Sequence, residues 1–259
     1  MASIVIVGCG RMGGAFARAW RGDHRVLVHD PVASVPEGCE ALPDLADAPA
    51  DALVLLAVKP QRIAEAAATL KPHLGEGSIT VSIAAGVTLG TLRAMLGAQT
   101  RLVRAMPNTP VAIGQGVTGA FAGPDVDVDI RAQVEALFRT TGSFAWLTSE
   151  AQIDLVTALS GSGPAYFFRF AEALAEAGIR AGLEKDTAYE LARATLVGSG
   201  GLAIEGASLS ALREEVTSPG GTTFAALQAM NAGGIERIVE EGVKANMARA
   251  AELAAEAAR

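Results

Sequence analysis

The chain has 259 residues, 50% of them hydrophobic, with 29 glycines and a formal net charge of −7 from 21 basic and 28 acidic side chains. This composition supports one large or two medium folded domains and excludes a disordered chain. The acidic balance, with no long Lys/Arg cluster, argues against a nucleic-acid or anionic-membrane partner, so any anionic ligand must be held by local donors.

Met1-Ala2 leads straight into the apolar run Ile4-Val5-Ile6-Val7. No targeting segment is read there, and a cytoplasmic location is expected. The uncharged stretch 105–124 is interrupted by three prolines and four glycines and does not read as a membrane span. Cys9 and Cys39 lack CxxC spacing, so neither a disulfide framework nor a metal site is expected.

The first run is followed by Gly8-Cys9-Gly10-Arg11-Met12-Gly13 and then by residues 12–20, in which Ala15, Phe16, Ala19 and Trp20 recur at helical spacing. Strand, glycine turn and helix in that order suit a dinucleotide. One glycine makes the tight turn, a second lets the pyrophosphate approach the backbone, and a third lets helix and strand pack closely. Asp30 ends the second strand, 25–29, where a carboxylate can accept the ribose hydroxyls; the alternative is a cap on the turn before Pro31. A 2′-phosphate would meet like charge there, the loop 31–37 carries no Lys or Arg, and Arg11 is the nearby cation in sequence. NADH is therefore expected to be preferred over NADPH.

Further apolar runs at 52–58, 79–83 and 102–105 alternate with helical periods, which describes a doubly wound sheet. Segments 116–121 and 143–147 flank a helix at 129–140 and extend the sheet at its edge. Ala57-Val58-Lys59-Pro60 falls at the carboxyl edge, where open α/β sheets place their ligands, and Pro60 suits the first turn of the next helix. Lys59 reads either as a cofactor-side residue or as an exposed strand-end lysine. Ala84-Ala85-Gly86 and Met106-Pro107-Asn108-Thr109 end the next two strands. Asn108 is the side chain there best able to make oriented hydrogen bonds, although ordinary strand-to-helix turns have the same geometry.

Beyond residue 148 the pattern becomes helical throughout, with stretches at 150–159, 165–181, 185–205, 209–216, 223–231 and 234–258. The expected fold class is thus α/β, a Rossmann-type doubly wound sheet over residues 1–150 followed by an all-α domain over 151–259. Apolar residues on two sides of these helices predict a homodimer through the second domain. Within it, Ser218-Pro219-Gly220-Gly221-Thr222-Thr223 opens a helix with a glycine-rich turn and three hydroxyls. That segment is either an anion cradle suited to a small carboxylate or punctuation between two helices.

Six segments in order resemble the pyrroline-5-carboxylate reductase family over nearly the whole length. They are Gly8-Cys9-Gly10-Arg11-Met12-Gly13, Ala57-Val58-Lys59-Pro60, the run from Val81 to Thr88, the run from Arg104 to Pro110, Leu159-Ser160-Gly161-Ser162-Gly163-Pro164-Ala165-Tyr166 and Ser218-Pro219-Gly220-Gly221-Thr222-Thr223. The resemblance implies reduction of Δ1-pyrroline-5-carboxylate to L-proline by NADH or NADPH, and intertwined dimers that assemble further, commonly into decamers. It implies that Ala84, Ala85, Gly86 and Asn108 surround the nicotinamide. Ser218 and Thr223 become side-chain donors to the substrate, the backbone N–H groups of Gly220, Gly221, Thr222 and Thr223 take its carboxylate, and Glu150 falls near the ring nitrogen. For Glu150 an ordinary acidic residue in a helix's first turn is the other reading.

None of His24, His29 and His73 falls in a substrate motif, so the ring nitrogen takes its proton beforehand, or through Thr223 or water. One departure is visible: where relatives often carry His-Pro-Gly, this chain reads Ser208-Leu209-Ser210, with Glu215 in place of an amide. That puts the local helix start in question. A β-hydroxyacid dehydrogenase of similar build would want a lysine where Phe167 stands. A non-catalytic dinucleotide-binding regulator would leave the second cradle unexplained.

Overall fold

The computed structural model describes residues 2–75, 77–204 and 206–257. Its strands are β1 (Ser3–Val7), β2 (Arg25–His29), β3 (Glu40–Ala41), β4 (Leu53–Leu56), β5 (Ile79–Ser82), β6 (Arg101–Pro107), β7 (Gly116–Ala122) and β8 (Gly142–Trp146). They form one sheet in the order β3-β2-β1-β4-β5-β6-β7-β8. The first six pair in parallel, β7 runs antiparallel to β6, and β8 is parallel to β7. The helices are α1 (Arg11–Trp20), α2 (Ile63–Leu70), α3 (Leu89–Leu96), α4 (Val128–Arg139), α5 (Gln152–Val156), α6 (Gly163–Arg180), α7 (Lys185–Ala203), α8 (Leu209–Glu215), α9 (Thr222–Ala232) and α10 (Ile235–Ala257).

The unbroken apolar character of β1 follows from burial on both faces of the sheet. Ile4 and Ile6 point into a core with Phe16, Trp20, Val134 and Phe138. Val5 and Val7 point into a second core with Leu56, Ile63, Leu70 and Leu92. In the first core Phe16 stacks on Trp20 with ring centroids 4.6 Å apart, and the Trp20 indole N–H donates to the Leu137 carbonyl at 3.2 Å. This fixes α1, and with it the glycine turn at its head, against the sheet.

The described residues divide into two compact units: those up to Ser162 with those from Ala245 onward, and Gly163–Lys244. The second unit has a sparse core of its own, in which Ala175, Ala188 and Ala192 pack with Ile179 where α6 meets α7. Phe167, Leu191 and Val197 are 64%, 53% and 69% exposed, too much apolar surface for these helices to leave in water.

The expected elements recur with shifted ends. Strand 52–58 shortens to Leu53–Leu56, and 102–105 lengthens to Arg101–Pro107. Strand β3 has two exposed residues and no apolar pattern to announce it. The expected helix 150–159 is α5 followed by a π-helical turn, Thr157–Gly161, with Ser162 N–H reaching back to the Thr157 carbonyl at 2.9 Å. The expected ends of two helices at Glu205 and Ala258 lie outside the described residues. At the departure near residue 208, Ser208 caps α8 by accepting from Ala211 N–H at 3.2 Å, so the local helix start is kept by a serine cap. No helix among the described residues is long and apolar enough to cross a membrane.

Candidate functional site

The glycine turn between β1 and α1 has the three properties a dinucleotide needs. Gly8 lies at φ +95°, and a Cβ there would stand 2.8 Å from Val58 Cγ1. A Cβ on Gly13 would run into the Gly8 carbonyl oxygen, whereas one on Gly10 would meet nothing within 4 Å. Close packing thus excludes a side chain at the first and third glycines, while the second faces open space. Gly10 is also the N-cap of α1 and supplies no side-chain acceptor, so the first-turn N–H groups of Arg11, Met12 and Gly13 are left for an anion. These residues fit a pyrophosphate.

Beside this turn lies a cleft of about 440 Å³, lined among others by Gly8, Gly10, Asp30, Ala57, Val58 and Lys59. Sheet order explains the grouping: β2, β1 and β4 are neighbours, and their carboxyl ends deliver Asp30, Gly8 and Ala57 to one edge. Lys59 is exposed, and Pro60 begins the short helical turn Pro60–Arg62 that leads into α2.

Asp30 holds the cleft together from inside. Its Oδ2 accepts the Cys9 N–H at 2.6 Å, and its Oδ1 accepts the N–H groups of Val32 and Ala33, each at 2.9 Å. Burial pushes the carboxyl up, but the Ala33, Cys9 and Val32 donors and the charge of Arg62 outweigh it and hold Asp30 below its ordinary value. The turn-capping reading of Asp30 is therefore present in the structure, and one lone pair on Oδ2 is still open to a hydroxyl. The Cys9 N–H is spent on this bond. Burial, then the Asp30 charge and Cys39, raise the Cys9 thiol against the opposing Arg18.

Sequence reasoning offered Arg11 as the cation near Asp30; the structure brings Arg62 instead, on the wall of the same cleft. A topological argument could have found it, since the β4 end lies beside β1 and Arg62 follows Pro60 by two positions.

Ala84 and Gly86 are buried and Ala85 is half-buried at the end of β5. Asn108, at the end of β6, is 7% exposed, and its amide is engaged: Oδ1 accepts Val117 N–H at 2.8 Å and Nδ2 donates to the Ser160 carbonyl at 3.1 Å. It ties β6 to β7 and to the π-helical turn, with one amide N–H remaining. Glu150 does not cap its own helix. One oxygen, Oε1, accepts both the Leu89 N–H at the start of α3, at 2.7 Å, and Arg104 Nη1, at 2.8 Å. Among the described residues no cluster of three or more His, Cys, Asp or Glu side chains could hold a metal.

The Ser-Pro-Gly-Gly-Thr-Thr turn belongs to the second unit. Gly220 lies at φ +71°, and Gly221 is an extended N-cap of α9 without a side-chain acceptor. The Gly221 N–H closes the turn onto the Ser218 carbonyl at 2.9 Å, which removes it from the expected set of ligand donors. The first-turn N–H groups of Thr222 and Thr223 stay open, as do the exposed Ser218 and half-buried Thr223 hydroxyls, which make no hydrogen bond among the described residues.

Comparison with known proteins agrees with this arrangement. Residues 150–253 match the family model for pyrroline-5-carboxylate reductase dimerisation, and residues 3–86 match that for NADP oxidoreductase, coenzyme F420-dependent. The chain is 44% identical to the pyrroline-5-carboxylate reductase of Pseudomonas aeruginosa over 81% of its own length and 77% of the relative's. It is 37% identical to that of Pisum sativum over 78% of this chain and 73% of the other. The solved structure of a pyrroline-5-carboxylate reductase from Coxiella burnetii superposes with a TM-score of 0.90 at 36% identity, covering 97% and 98% of the two chains. That of Plasmodium falciparum pyrroline carboxylate reductase with NADP bound does so with a TM-score of 0.84 at 25% identity, covering 98% of each. The uncovered apolar helices of the second unit lie in the part matched by a dimerisation model, which supports self-association of this chain. A glycine turn that fits a pyrophosphate, an uncapped start of α9 and these relatives agree: the chain belongs to the pyrroline-5-carboxylate reductase family.

Proposed function

We infer that this chain reduces Δ1-pyrroline-5-carboxylate to L-proline with NAD(P)H, the last step of proline synthesis. The observation that carries the reading is the pair of uncapped helix starts, α1 after Gly8-Cys9-Gly10 and α9 after Ser218-Pro219-Gly220-Gly221. The first suits a dinucleotide and the second a small carboxylate. Residues 1–150 are assigned the cofactor and 151–259 the substrate and dimer contact, with dimers assembling further, as far as decamers. A cytoplasmic location is part of the same proposal.

When bound between these residues, a reduced nicotinamide would be the source of the hydride for the C=N carbon. The N–H groups of Gly10, Arg11, Met12 and Gly13 hold the pyrophosphate, while Gly8 and Cys9, whose N–H groups are taken by the His29 carbonyl and Asp30, shape the turn that receives it. Asp30, Ala57, Val58, Lys59 and Pro60 line the rest of the cofactor's course, with Ala84, Ala85, Gly86 and Asn108 toward its reactive end. Asn108 acts through its remaining N–H, or by holding the π-helical turn in place. The open N–H groups of Gly220, Thr222 and Thr223 receive the substrate carboxylate, and Gly221 shapes their turn. Ser218 and Thr223 orient the ring, with Thr223 or water passing a proton to its nitrogen. Glu150 is assigned a supporting place near that nitrogen through Arg104 and α3. A hydroxyl is a weak acid at neutral pH, so positioning carries most of the rate.

NADH is the preferred donor in this reading. The Asp30 carboxylate stands where a 2′-phosphate would meet like charge, and it already occupies the N–H groups of Val32 and Ala33. Following the loss of NADH and NADPH absorbance with pyrroline-5-carboxylate as substrate tests both levels. No substrate-dependent oxidation with either cofactor would overturn the reductase assignment. A kcat/KM equal or higher with NADPH would overturn the preference alone.

A further inference from the structure

Asp30 does not act alone in its cleft. Arg62 and Glu65 line the same wall, and Arg62 is paired at both prongs: Nε donates to Glu65 Oε2 at 2.9 Å and Nη2 to Oε1 at 2.7 Å. A free arginine at this place would be a ready clamp for a phosphomonoester, whose oxygens match the planar guanidinium fork better than they match a lysine. Here that fork is filled by a carboxylate of the chain itself. The pair is half-exposed, with side-chain exposures of 54% and 66%, so the link itself is worth little, and what Glu65 sets against a phosphate is its charge, kept beside the fork. Any phosphate reaching the fork would face the Glu65 charge as well as that of Asp30. The donors a 2′-phosphate would use, Arg62 and the Val32 and Ala33 N–H groups, are thus all held by carboxylates.

We propose that Glu65 is a specificity-determining residue: by closing on Arg62 it masks the cation that would otherwise clamp the 2′-phosphate of NADPH. The proposal rests on reading the cleft as the site of the adenosine ribose. It makes a separate claim from the one about Asp30, because it concerns what happens when Glu65 loses its charge and Asp30 is untouched.

The test is calorimetric titration of the full-length protein with 2′,5′-ADP and 5′-AMP as probes, alongside NADP⁺ and NAD⁺. Glu65→Gln should tighten 2′,5′-ADP relative to 5′-AMP by about tenfold, the effect of removing one like charge near a phosphate at a partly exposed site. The gain should vanish in the double variant Glu65→Gln, Arg62→Gln, return with Arg62→Lys only in part, and survive in Glu65→Gln, Lys59→Gln. That last variant separates Arg62 from the other cation on the wall. Circular dichroism and Tm establish that each variant is folded. An unchanged ratio in a folded Glu65→Gln protein overturns the proposal. So does a wild-type protein in which Arg62→Gln alone already weakens 2′,5′-ADP selectively, since Arg62 would then be unmasked. The latter result leaves the NADH preference to be judged by its own kinetics. Failure of either adenosine probe to compete with NAD⁺ would remove the cleft assignment on which the proposal stands.

Discussion

Glu150 and Arg104 form an ion pair at 2.8 Å in which the arginine side chain is only 5% exposed and the carboxylate 30%. The same oxygen accepts the Leu89 N–H, so one carboxylate joins β6, the start of α3 and the entry to α5. Removing one partner of a buried pair leaves the other charge unsatisfied. Glu150→Ala should therefore cost about 3 kcal/mol of stability, a large fraction of what a domain has. Urea unfolding of the two single variants and of Arg104→Ala, Glu150→Ala gives the coupling directly. Additive losses would show that the pair does not hold these elements together.

The same pair bears on fragments cut within residues 1–162, the N-terminal part of the first unit. A fragment stopped before Thr148 keeps the glycine turn but loses Ile153 and Ala158, which are 1% and 0% exposed, together with the carboxylate that satisfies Arg104. It also uncovers Gly119, whose missing side chain makes room for Val156. A fragment of residues 1–162 should melt cooperatively and bind NAD⁺, while 1–147 should aggregate or melt well below it. Equal Tm values for the two would contradict this account of the boundary.

How much of this could be read in the sequence follows from where the causes lie. The central strands were legible because Ile4 to Val7 are buried on both faces, so burial and sequence carry the same signal. The glycine turn was legible because each glycine answers a local steric demand. Strand β3 was not, since it is held by pairing with β2 and has no buried residue. Glu150 and Arg104 lie 46 residues apart, and Asn108 and Ser160 lie 52 apart, so neither bond has a spacing to recognise. Arg62 escaped for the same reason: its relation to Asp30 exists because β4 and β2 both flank β1.

Thr223 tests the second cradle. It is half-buried at the start of α9 with its hydroxyl uncommitted, and the nearest cap position, Gly221, offers no side chain to replace it. Thr223→Ala should lower kcat/KM for pyrroline-5-carboxylate at least about fivefold, the worth of one hydrogen bond of about 1 kcal/mol that tightens in the transition state. Thr223→Ser should restore most of it. The Kd for NAD⁺ should stay within about twofold of wild type, because the substitution leaves the α1 cradle alone. Wild-type kcat/KM in the alanine variant would remove Thr223 from the substrate site.

Asp30 links the cofactor cleft to acid stability, and the sign can be worked out from its bonds. Its folded-state carboxyl is held low by the Ala33, Cys9 and Val32 donors and by Arg62, in spite of burial. A depressed carboxyl stabilises the fold above the unfolded-state pKa of about 3.9 and loses that contribution as pH falls through the lower folded value. In Asp30→Asn the amide can still accept at its oxygen, but it carries no charge and turns an N–H toward donors that Oδ2 now satisfies. Near pH 7 the variant should be less stable by about 1.5–3 kcal/mol, the range for losing hydrogen bonds to a charged acceptor. At an acid pH below that lowered folded-state value, the gap should shrink as the wild type loses the same advantage by protonation. Denaturant unfolding at the two pH values measures this. Wild type and variant that lose stability in parallel as acid is added would mean that Asp30 is not the group fastening the glycine turn to the end of β2.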